Sequence, residues 1–283
     1  MATRAEYYKK TSSGVQCLLC PHHCRLTDGQ LGLCKARICR GKDLYSLSDG
    51  KITAMAYDPL EKKPLKYFMK GPIFSIGSMG CNFHCDFCQN FRLLDPQVSS
   101  IKISDKKLLQ AAADRGSVGI AYTYNEPTIN FEMVKRLSKK IHKQKQVNVM
   151  ISNGYIEKEP LKELLPLIDA WNIDYKMPAD LYGEVCGGKE QVVLETIREV
   201  SLHSHVEVST LLIPGRNTDE KVFRGMMEKL SSINPEIPLH LSRYSPCYKC
   251  TIPPTPASTM LACRKIAREY MQRVELGNMP LYY

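Results

Sequence analysis

Long apolar runs are missing from this sequence of 283 residues. No continuous apolar stretch approaches the ~18 residues needed to cross a bilayer, which excludes an integral membrane protein. The first ten residues are polar and contain no apolar core of a signal peptide, so we expect a cytoplasmic protein. A disordered chain is excluded too, because 43% of the residues are hydrophobic and only 24% are charged.

Clustered charge is also missing. Lys and Arg number 39 against 29 Asp and Glu, a formal net charge of +10, yet no run of five like charges occurs. Nucleic-acid-binding proteins concentrate positive charge on one face, so the diffuse excess disfavours nucleic acid as a partner. Anionic substrates and an acidic protein partner stay compatible with it.

Cysteine, in contrast, is abundant, with twelve residues. The cytoplasm keeps thiols reduced, and cysteine clusters there more often bind metal or carry out redox chemistry than form disulfides. Eight of the twelve precede residue 91 and fall into two groups. The groups are Cys17, Cys20, Cys24, Cys34 and Cys39, and then Cys81, Cys85 and Cys88.

From residue 73 onward, short β-rich runs alternate with amphipathic helices, a pattern typical of parallel α/β proteins. The predicted strands are Ile73–Gly77, Val118–Tyr122, Val147–Ile151, Ala170–Asp174, Val206–Leu212 and Leu239–Ser242, with a trailing strand at Arg273–Leu276. The predicted helices are 104–114, 128–143, 157–168, 189–203, 218–232 and 257–272. Six βα units predict a partial (β/α)6 barrel of the TIM type rather than a doubly wound sheet. We expect residues 71–283 to form this barrel with a C-terminal extension, and residues 1–70 to form a Cys-rich N-terminal region.

The second cysteine group lies on a glycine-led loop directly after the first predicted strand of the barrel. Its cysteines are separated by three residues and then by two. Three thiolates can hold three irons of a [4Fe–4S] cluster and leave the fourth iron open to a cofactor or substrate. Zinc is the alternative, with His84 as a fourth ligand, although structural zinc sites rarely draw four ligands from so tight a loop.

Polar residues follow the other predicted strands. They are Asn125 and Glu126, Asn153, Asp174 and Lys176, Arg216, and His240. Strand ends of a βα barrel share one face, where the active site is built. Four of these residues also have a structural explanation: Glu126 as a first-turn helix acid, Asp174 and Lys176 as an interior ion pair, and His240 as a core histidine.

The cysteine spacing, with Phe87 before the last cysteine, resembles the cluster motif of the radical SAM superfamily. The chain resembles more narrowly the radical SAM member of the AmmeMemoRadiSam system, and also pyruvate formate-lyase activating enzymes. This resemblance includes Cys-Leu-Leu-Cys-Pro-His-His-Cys at 17–24, Asp-Pro-Leu-Glu-Lys-Lys-Pro-Leu at 58–65, Tyr-Asn-Glu-Pro-Thr at 124–128 and Leu-Ile-Pro-Gly at 212–215. It implies that S-adenosylmethionine (SAM) binds the open iron and is cleaved reductively to a 5′-deoxyadenosyl radical.

The resemblance also implies roles for individual residues. Glu126, with Asn125 beside it, corresponds to the motif that holds the SAM amino group. Asp174 and Lys176 resemble a pair that contacts SAM in the activating enzymes, and His240 resembles a histidine beside the adenosine. Asn153 resembles the first residue of an Asn-Gly turn in the same enzymes.

The N-terminal group offers a second set of ligands. Cys17, Cys20, Cys24 and Cys34 are enough for zinc or a second iron–sulfur cluster, although their spacing matches no standard ferredoxin motif. A region of about 70 residues struggles to build its own core, which favours a structural metal. The alternative is that these thiols are buried in packing or face the substrate.

The leading hypothesis is a radical SAM oxidoreductase that abstracts hydrogen from an unidentified substrate and needs a low-potential electron donor. A glycyl-radical activase, an RNA-modifying radical SAM enzyme and a zinc-stabilised binding module without turnover are the alternatives. The segments on either side of the predicted barrel, including the Pro-rich stretch 246–256, should restrict its active face. This favours a small molecule or a short segment over a folded protein as the substrate.

Overall fold

The computed structural model describes residues 2–279. Eight short strands come first in the chain: β1 (Thr3–Arg4), β2 (Tyr8–Lys10), β3 (Val15–Cys17), β4 (Arg25–Leu26), β5 (Arg37–Arg40), β6 (Asp43–Ser46), β7 (Lys51–Ile52) and β8 (Ala54–Pro59). The remaining elements are β9 (Pro72–Gly77), β10 (Ile101–Lys102), α1 (Asp105–Ala112), β11 (Gly119–Tyr122), α2 (Phe131–Lys143), β12 (Val147–Ser152), α3 (Lys158–Leu164), β13 (Ala170–Asp174), α4 (Ala179–Leu181), α5 (Glu190–Ser201), β14 (His205–Leu212), α6 (Glu220–Ser231), β15 (Leu239–Arg243), α7 (Ala257–Ala267) and β16 (Val274–Gly277).

One sheet of eight strands forms the centre of the molecule. Its order is β16-β15-β14-β13-β12-β11-β9-β8. All neighbours from β9 to β16 are parallel, and β8 joins β9 in the antiparallel direction. Helices connect the successive parallel strands. The predicted partial barrel of α/β type with six βα units is therefore confirmed, and β16 is the trailing strand.

Two of the barrel strands are buried along nearly their whole length. All four residues of β11 are buried, and β13 is buried up to its last residue. Gly119 allows β11 to approach β12, because a Cβ there would lie 1.9 Å from the Val147 carbonyl oxygen. Helix α2 is amphipathic and buries Val134, Leu137 and Ile141 on the face toward the sheet.

Side chains cap two of the helices where the sequence changes from extended to helical. Ser104 accepts a hydrogen bond from the Lys107 amide and begins α1. Asp219 accepts hydrogen bonds from the Lys221 and Val222 amides and begins α6. Short polar side chains before an apolar periodic run typically start helices in this way, because they pair with amides that the helix leaves free.

The N-terminal region is built from short strands. Six of the strands form two three-stranded sheets, in the orders β1-β6-β5 and β2-β3-β4, and β7 pairs with β10 from the later part of the chain. Strand β8 also precedes residue 70 but belongs to the central sheet. The division of the chain at residue 70 stays a prediction. No helix in the described part of the chain combines the length and apolarity needed to span a membrane.

Candidate functional site

A cavity of about 410 Å³ lies at the carboxyl ends of the barrel strands. Eight of the residues predicted from the sequence line it: Cys81, Cys85, Cys88, Asn125, Glu126, Asn153, Asp174 and Lys176. They come from the loop after β9 and from the ends of β11, β12 and β13. The parallel strand order brings these loops together, because each strand delivers its carboxyl end to the same face.

Asn125 fixes the beginning of the cysteine loop. Its side-chain oxygen accepts a hydrogen bond from the Ser78 amide at 2.9 Å, and its side-chain nitrogen donates to the Gly80 carbonyl at 3.0 Å. Gly80 has φ +83°, and a Cβ there would lie 2.3 Å from the Cys34 carbonyl oxygen. Glycine is required at this position because a side chain would meet both backbone strain and a clash.

The three thiols of the loop differ in their surroundings. Cys81 accepts a hydrogen bond from the Phe83 amide at 3.3 Å, and the Asn153 side-chain nitrogen lies 3.7 Å from the same sulfur. Burial raises the pKa of Cys81 well above its usual range. Contact with the Cys186 thiol lowers the pKa of Cys85. Ligation to iron requires the thiolate form, which the surroundings of Cys85 favour.

The spacing of these thiols bears on which metal they fit. Within residues 2–279, no group of three or more Cys, His, Asp or Glu side chains has the spacing of a single-ion site. An iron–sulfur cluster separates its cysteine ligands more widely than one ion does. Three thiols that line one cavity without reaching the spacing of a single-ion site therefore fit a cluster better than zinc.

Glu126 connects the ends of β11 and β12. One carboxylate oxygen accepts hydrogen bonds from the Thr128 amide at 3.0 Å and the Ser152 hydroxyl at 2.8 Å, and the other accepts one from the Asn153 amide at 2.7 Å. Burial raises the pKa of Glu126, while these hydrogen bonds oppose the rise. The carboxylate thus braces two loops and still lines the cavity.

Asp174 and Lys176 form an ion pair of 2.7 Å at the end of β13. Burial alone would lower the pKa of Lys176, but Asp174 and the nearby Cys85 sulfur raise it above its usual range. Lys176 is therefore a fixed positive charge on the wall of the cavity. A ligand bound beside the cysteines therefore has one cation and one anion next to it.

His240 is placed differently from the other predicted residues. It is buried, does not line the cavity, and contacts the Glu207 carboxylate at 2.6 Å. The same carboxylate contacts His205 at 2.9 Å and accepts hydrogen bonds from the Lys66 and Tyr67 amides. His240 thus belongs to a network that ties β14 and β15 to the loop before β9.

The segment after β15 covers the outer side of the cysteine loop. Asp86, between Cys85 and Cys88, pairs with Arg216 through two hydrogen bonds. The Asp86 carbonyl accepts hydrogen bonds from the Lys249 and Cys250 amides at 2.9 and 3.1 Å. The turn formed by residues 247–250 is therefore held on the loop by backbone contacts.

Residues 75–225, more than half of the chain, match the family model of the Radical SAM superfamily. The chain belongs to the radical SAM superfamily. Members of the radical SAM superfamily are enzymes that catalyse radical reactions with a [4Fe–4S] cluster and SAM. The resemblance inferred from the sequence, the enzyme class and both cofactors are thereby confirmed.

Individual relatives agree with the radical SAM assignment. The chain is 38% identical to the uncharacterized protein MJ0808 of Methanocaldococcus jannaschii, over 97% of this chain and 84% of that protein. It resembles a domain of pyruvate-formate lyase-activating enzyme from Bacteroides vulgatus with a TM-score of 0.51 and 21% identity, over 56% of this chain and 99% of that chain. It resembles SuiB of Streptococcus suis bound to S-adenosylmethionine with a TM-score of 0.56 and 14% identity, over 72% and 49% of the two chains. At these identities the structural similarities show the radical SAM fold alone.

Two lysines also line the radical SAM cavity, although no sequence pattern predicted a role for them. Lys62 and Lys63 line the cavity from the segment between β8 and β9. Lys63 is buried, pairs with Asp58 at 2.8 Å, and lies 4.6 Å from the centre of the Tyr124 ring. The motif at 58–65 was the available signal. The motif indicated that this segment resembles the family, but not that its lysines line the cavity.

Proposed function

We propose that the protein cleaves SAM reductively at a [4Fe–4S] cluster held by Cys81, Cys85 and Cys88, and that the resulting 5′-deoxyadenosyl radical abstracts hydrogen from a substrate. The observation that carries this proposal is the position of the three thiols on one cavity at the carboxyl ends of the strands. The cluster supplies the electron when it is bound, and the chain positions the reactants and excludes water. A low-potential donor delivers that electron.

Charged side chains on the same cavity support a SAM pocket. The methionine part of SAM carries an ammonium and a carboxylate, so it needs partners of both signs. We assign Glu126 and Asp174 to the ammonium side and Lys176 to the carboxylate side, with Asn125 and Asn153 as positioning residues. His240 does not line the cavity, and we leave it out of the pocket.

The substrate we favour is a small molecule or a short segment. A cavity of about 410 Å³ is in the lower part of the range for small-ligand sites, and SAM itself takes a share of it. Lys62 and Lys63 line the same cavity and reduce the space beside the cysteines. A folded glycyl-radical enzyme is the second candidate, because Asp174 and Lys176 resemble the pair found in activating enzymes.

We also place the protein in the cytoplasm. All twelve cysteines are free. A reducing compartment keeps such thiols available for ligation, and a reduced iron–sulfur cluster needs the same protection.

The test is anaerobic reconstitution with iron and sulfide, followed by assay of 5′-deoxyadenosine and methionine after addition of SAM and dithionite. We expect the wild type to form both products and Cys85→Ala to form neither. Cys263→Ala is the matched control, because Cys263 is a buried cysteine of α7 that does not line the cavity, and it should retain the activity. Full 5′-deoxyadenosine production by Cys85→Ala would refute the cluster assignment.

Spectroscopy separates the two substrate candidates. The reconstituted enzyme is incubated with SAM, dithionite and co-expressed candidate partner proteins, and electron paramagnetic resonance is recorded. We expect no persistent glycyl radical on any partner. A persistent glycyl radical would establish the activase function instead.

A further inference from the structure

We infer that Cys17, Cys20, Cys24 and Cys34 hold a second iron–sulfur cluster. Each of its irons is ligated by cysteine, so none is left open to SAM. This inference goes beyond the proposed function and does not depend on it. It concerns a separate set of thiols in the N-terminal sheets. Four features of that set support a cluster: a shared cavity, its walls, its charge and its position against the cysteine loop.

The backbone brings the four cysteines together from three turns. Strand β3 ends at Cys17, whose amide donates to the Cys24 carbonyl at 2.9 Å. The His23 amide donates to the Cys20 carbonyl at 3.1 Å, and this hydrogen bond closes the turn between Cys20 and Cys24. The turn from Gly32 to Lys35 then delivers Cys34. All four side chains line one small cavity of about 20 Å³.

The existence of this cavity separates a cluster from a single ion. Zinc binds sulfur at ~2.3 Å, so a tetrahedral zinc site with four cysteine ligands draws its sulfurs into mutual contact and leaves no cavity between them. The four thiols do not reach that spacing, and the cysteines of the radical SAM loop do not reach it either. Both groups surround a space, as cluster ligands do. Four cysteines are the ligand set of both [2Fe–2S] and [4Fe–4S] clusters.

The other walls of the cavity do not suit water. Leu19, Leu26, Gly32 and Ile129 supply the apolar part of the remaining lining, and His22 and Arg37 are its polar residues. A buried water needs two to four hydrogen-bond partners. The His22 ring is already in contact with the Asn82 carbonyl at 2.7 Å, and the Arg37 hydrogen bonds go to Glu132 and to two backbone carbonyls. The apolar lining with four thiols fits an inorganic cluster.

A buried ion pair adjoins the four thiols, and its cation, Arg37, lines their cavity. Arg37 is 1% exposed and forms a bidentate pair with Glu132 of α2, at 2.8 and 2.9 Å. It also donates to the Ile129 carbonyl and the Glu6 carbonyl. A cluster with four thiolates carries net negative charge, so a fixed guanidinium beside it reduces the cost of burial. The same side chain joins the N-terminal region to the barrel.

The inferred cluster site packs directly against the cysteine loop of the barrel. The Cys34 carbonyl occupies the position where a side chain of Gly80 would lie. His22 contacts the carbonyl of Asn82, which follows Cys81, and its ring lies 5.1 Å from the Tyr155 ring. Ligation of the four thiols therefore fixes the surface on which the start of the loop rests. The second cluster acts as a structural support for the first.

The decisive experiment uses the full chain with all four N-terminal ligands intact. The triple variant Cys81→Ala/Cys85→Ala/Cys88→Ala is purified anaerobically, and iron, sulfide and zinc are quantified per chain. We expect about two irons with two sulfides, or about four with four, and a visible absorption band that dithionite bleaches. One zinc without iron, or the absence of both metals, would overturn the inference.

Two additions to the triple variant locate the metal. Adding Cys20→Ser should remove the remaining iron, whereas adding Cys39→Ser should retain it. Cys39 is a buried cysteine of β5 that does not line the cavity. Iron retained with Cys20→Ser would also overturn the inference. SAM cleavage is not measured in these variants, so their result is independent of the test of the proposed function.

Discussion

The Asp86 carboxylate meets the Arg216 guanidinium through two hydrogen bonds of 2.7 and 2.6 Å, and this pair joins the cysteine loop to the segment after β14. Arg216 lowers the pKa of Asp86, so the pair is ionised at neutral pH. Charge-assisted bidentate contacts are among the stronger hydrogen bonds in proteins. The pair limits the movement of the residues between Cys85 and Cys88.

Arg216→Gln should therefore weaken the loop. We expect the free energy of unfolding to fall by about 1–2 kcal/mol, a value reduced for the partial exposure of the pair, and we expect less iron to be retained after reconstitution and desalting. Arg224→Gln is the control, because Arg224 pairs with Glu220 and Glu269 on the surface. Equal iron retention by the two variants would refute the role of Arg216.

Glu126→Gln should lower both stability and SAM affinity. The carboxylate accepts three hydrogen bonds, and a Gln amide nitrogen would face one of those donors. We expect a loss of about 1–3 kcal/mol in the free energy of unfolding, measured by urea denaturation. Isothermal titration should show at least tenfold weaker SAM binding. The exposed Glu159→Gln should change neither quantity.

Lys176→Ala should weaken SAM binding without unfolding the protein. Removing a charge-assisted contact costs about 1.5–3 kcal/mol, or roughly 10- to 150-fold in affinity. The measurement is equilibrium binding of SAM to the reconstituted enzyme. Lys162→Ala is the control, since Lys162 pairs with Glu159 on the surface. Wild-type affinity in Lys176→Ala would place the SAM carboxylate elsewhere.

Acid should destabilise the protein through Glu207. Burial alone would raise the pKa of Glu207, but hydrogen bonds from His205, His240 and the Tyr67 amide lower it to about 2. Because the folded-state pKa lies below the usual value, the stabilisation is complete above about pH 5 and is lost as the pH falls toward 2.

We expect this loss to reach about 2–3 kcal/mol, seen as a fall in melting temperature over that pH range. Glu207→Gln should be less stable at neutral pH and should show a shallower acid dependence than the wild type. The exposed Glu236→Gln should reproduce the wild-type curve. A wild-type melting temperature that is constant from about pH 5 to pH 3 would contradict this role of Glu207.

Gly80→Ala should disrupt the start of the cysteine loop. It combines the strain of φ +83° with a Cβ 2.3 Å from the Cys34 carbonyl oxygen. Gly116→Ala is a matched control, because Gly116 has φ +67° but no heavy atom within 4 Å of an added Cβ. We expect Gly116→Ala to cost about 1 kcal/mol from backbone strain alone. Gly80→Ala should cost more and should retain less iron on the loop.

Periodicity in the sequence predicted the barrel closely. Each of its six strands was predicted to within one or two residues, because buried parallel strands are short apolar runs with clear ends. The helix predicted at 157–168 stops earlier. Pro166 has no amide hydrogen to continue the helical pattern, so α3 ends at Leu164 and a short 3-10 turn follows.

The N-terminal strands were missed for the opposite reason. Most have two to four residues, too few to show an alternation. The position of His240 could not be predicted from the sequence either, because its partner Glu207 is 33 residues away in the chain and lies on the neighbouring strand of the sheet. The cavity residues were predictable because barrel topology dictates which loops meet.

The turn at residues 247–250 has a consequence for how the protein matures. It covers a loop that leaves the ribosome much earlier, and chains are synthesised at ~5–20 residues per second. Until synthesis has passed residue 250, the outer side of the cysteine loop has no cover from this turn. The two hydrogen bonds to the Asp86 carbonyl can therefore form only after strands β9 to β15 have been synthesised, so this cover of the loop is among the last contacts to be made.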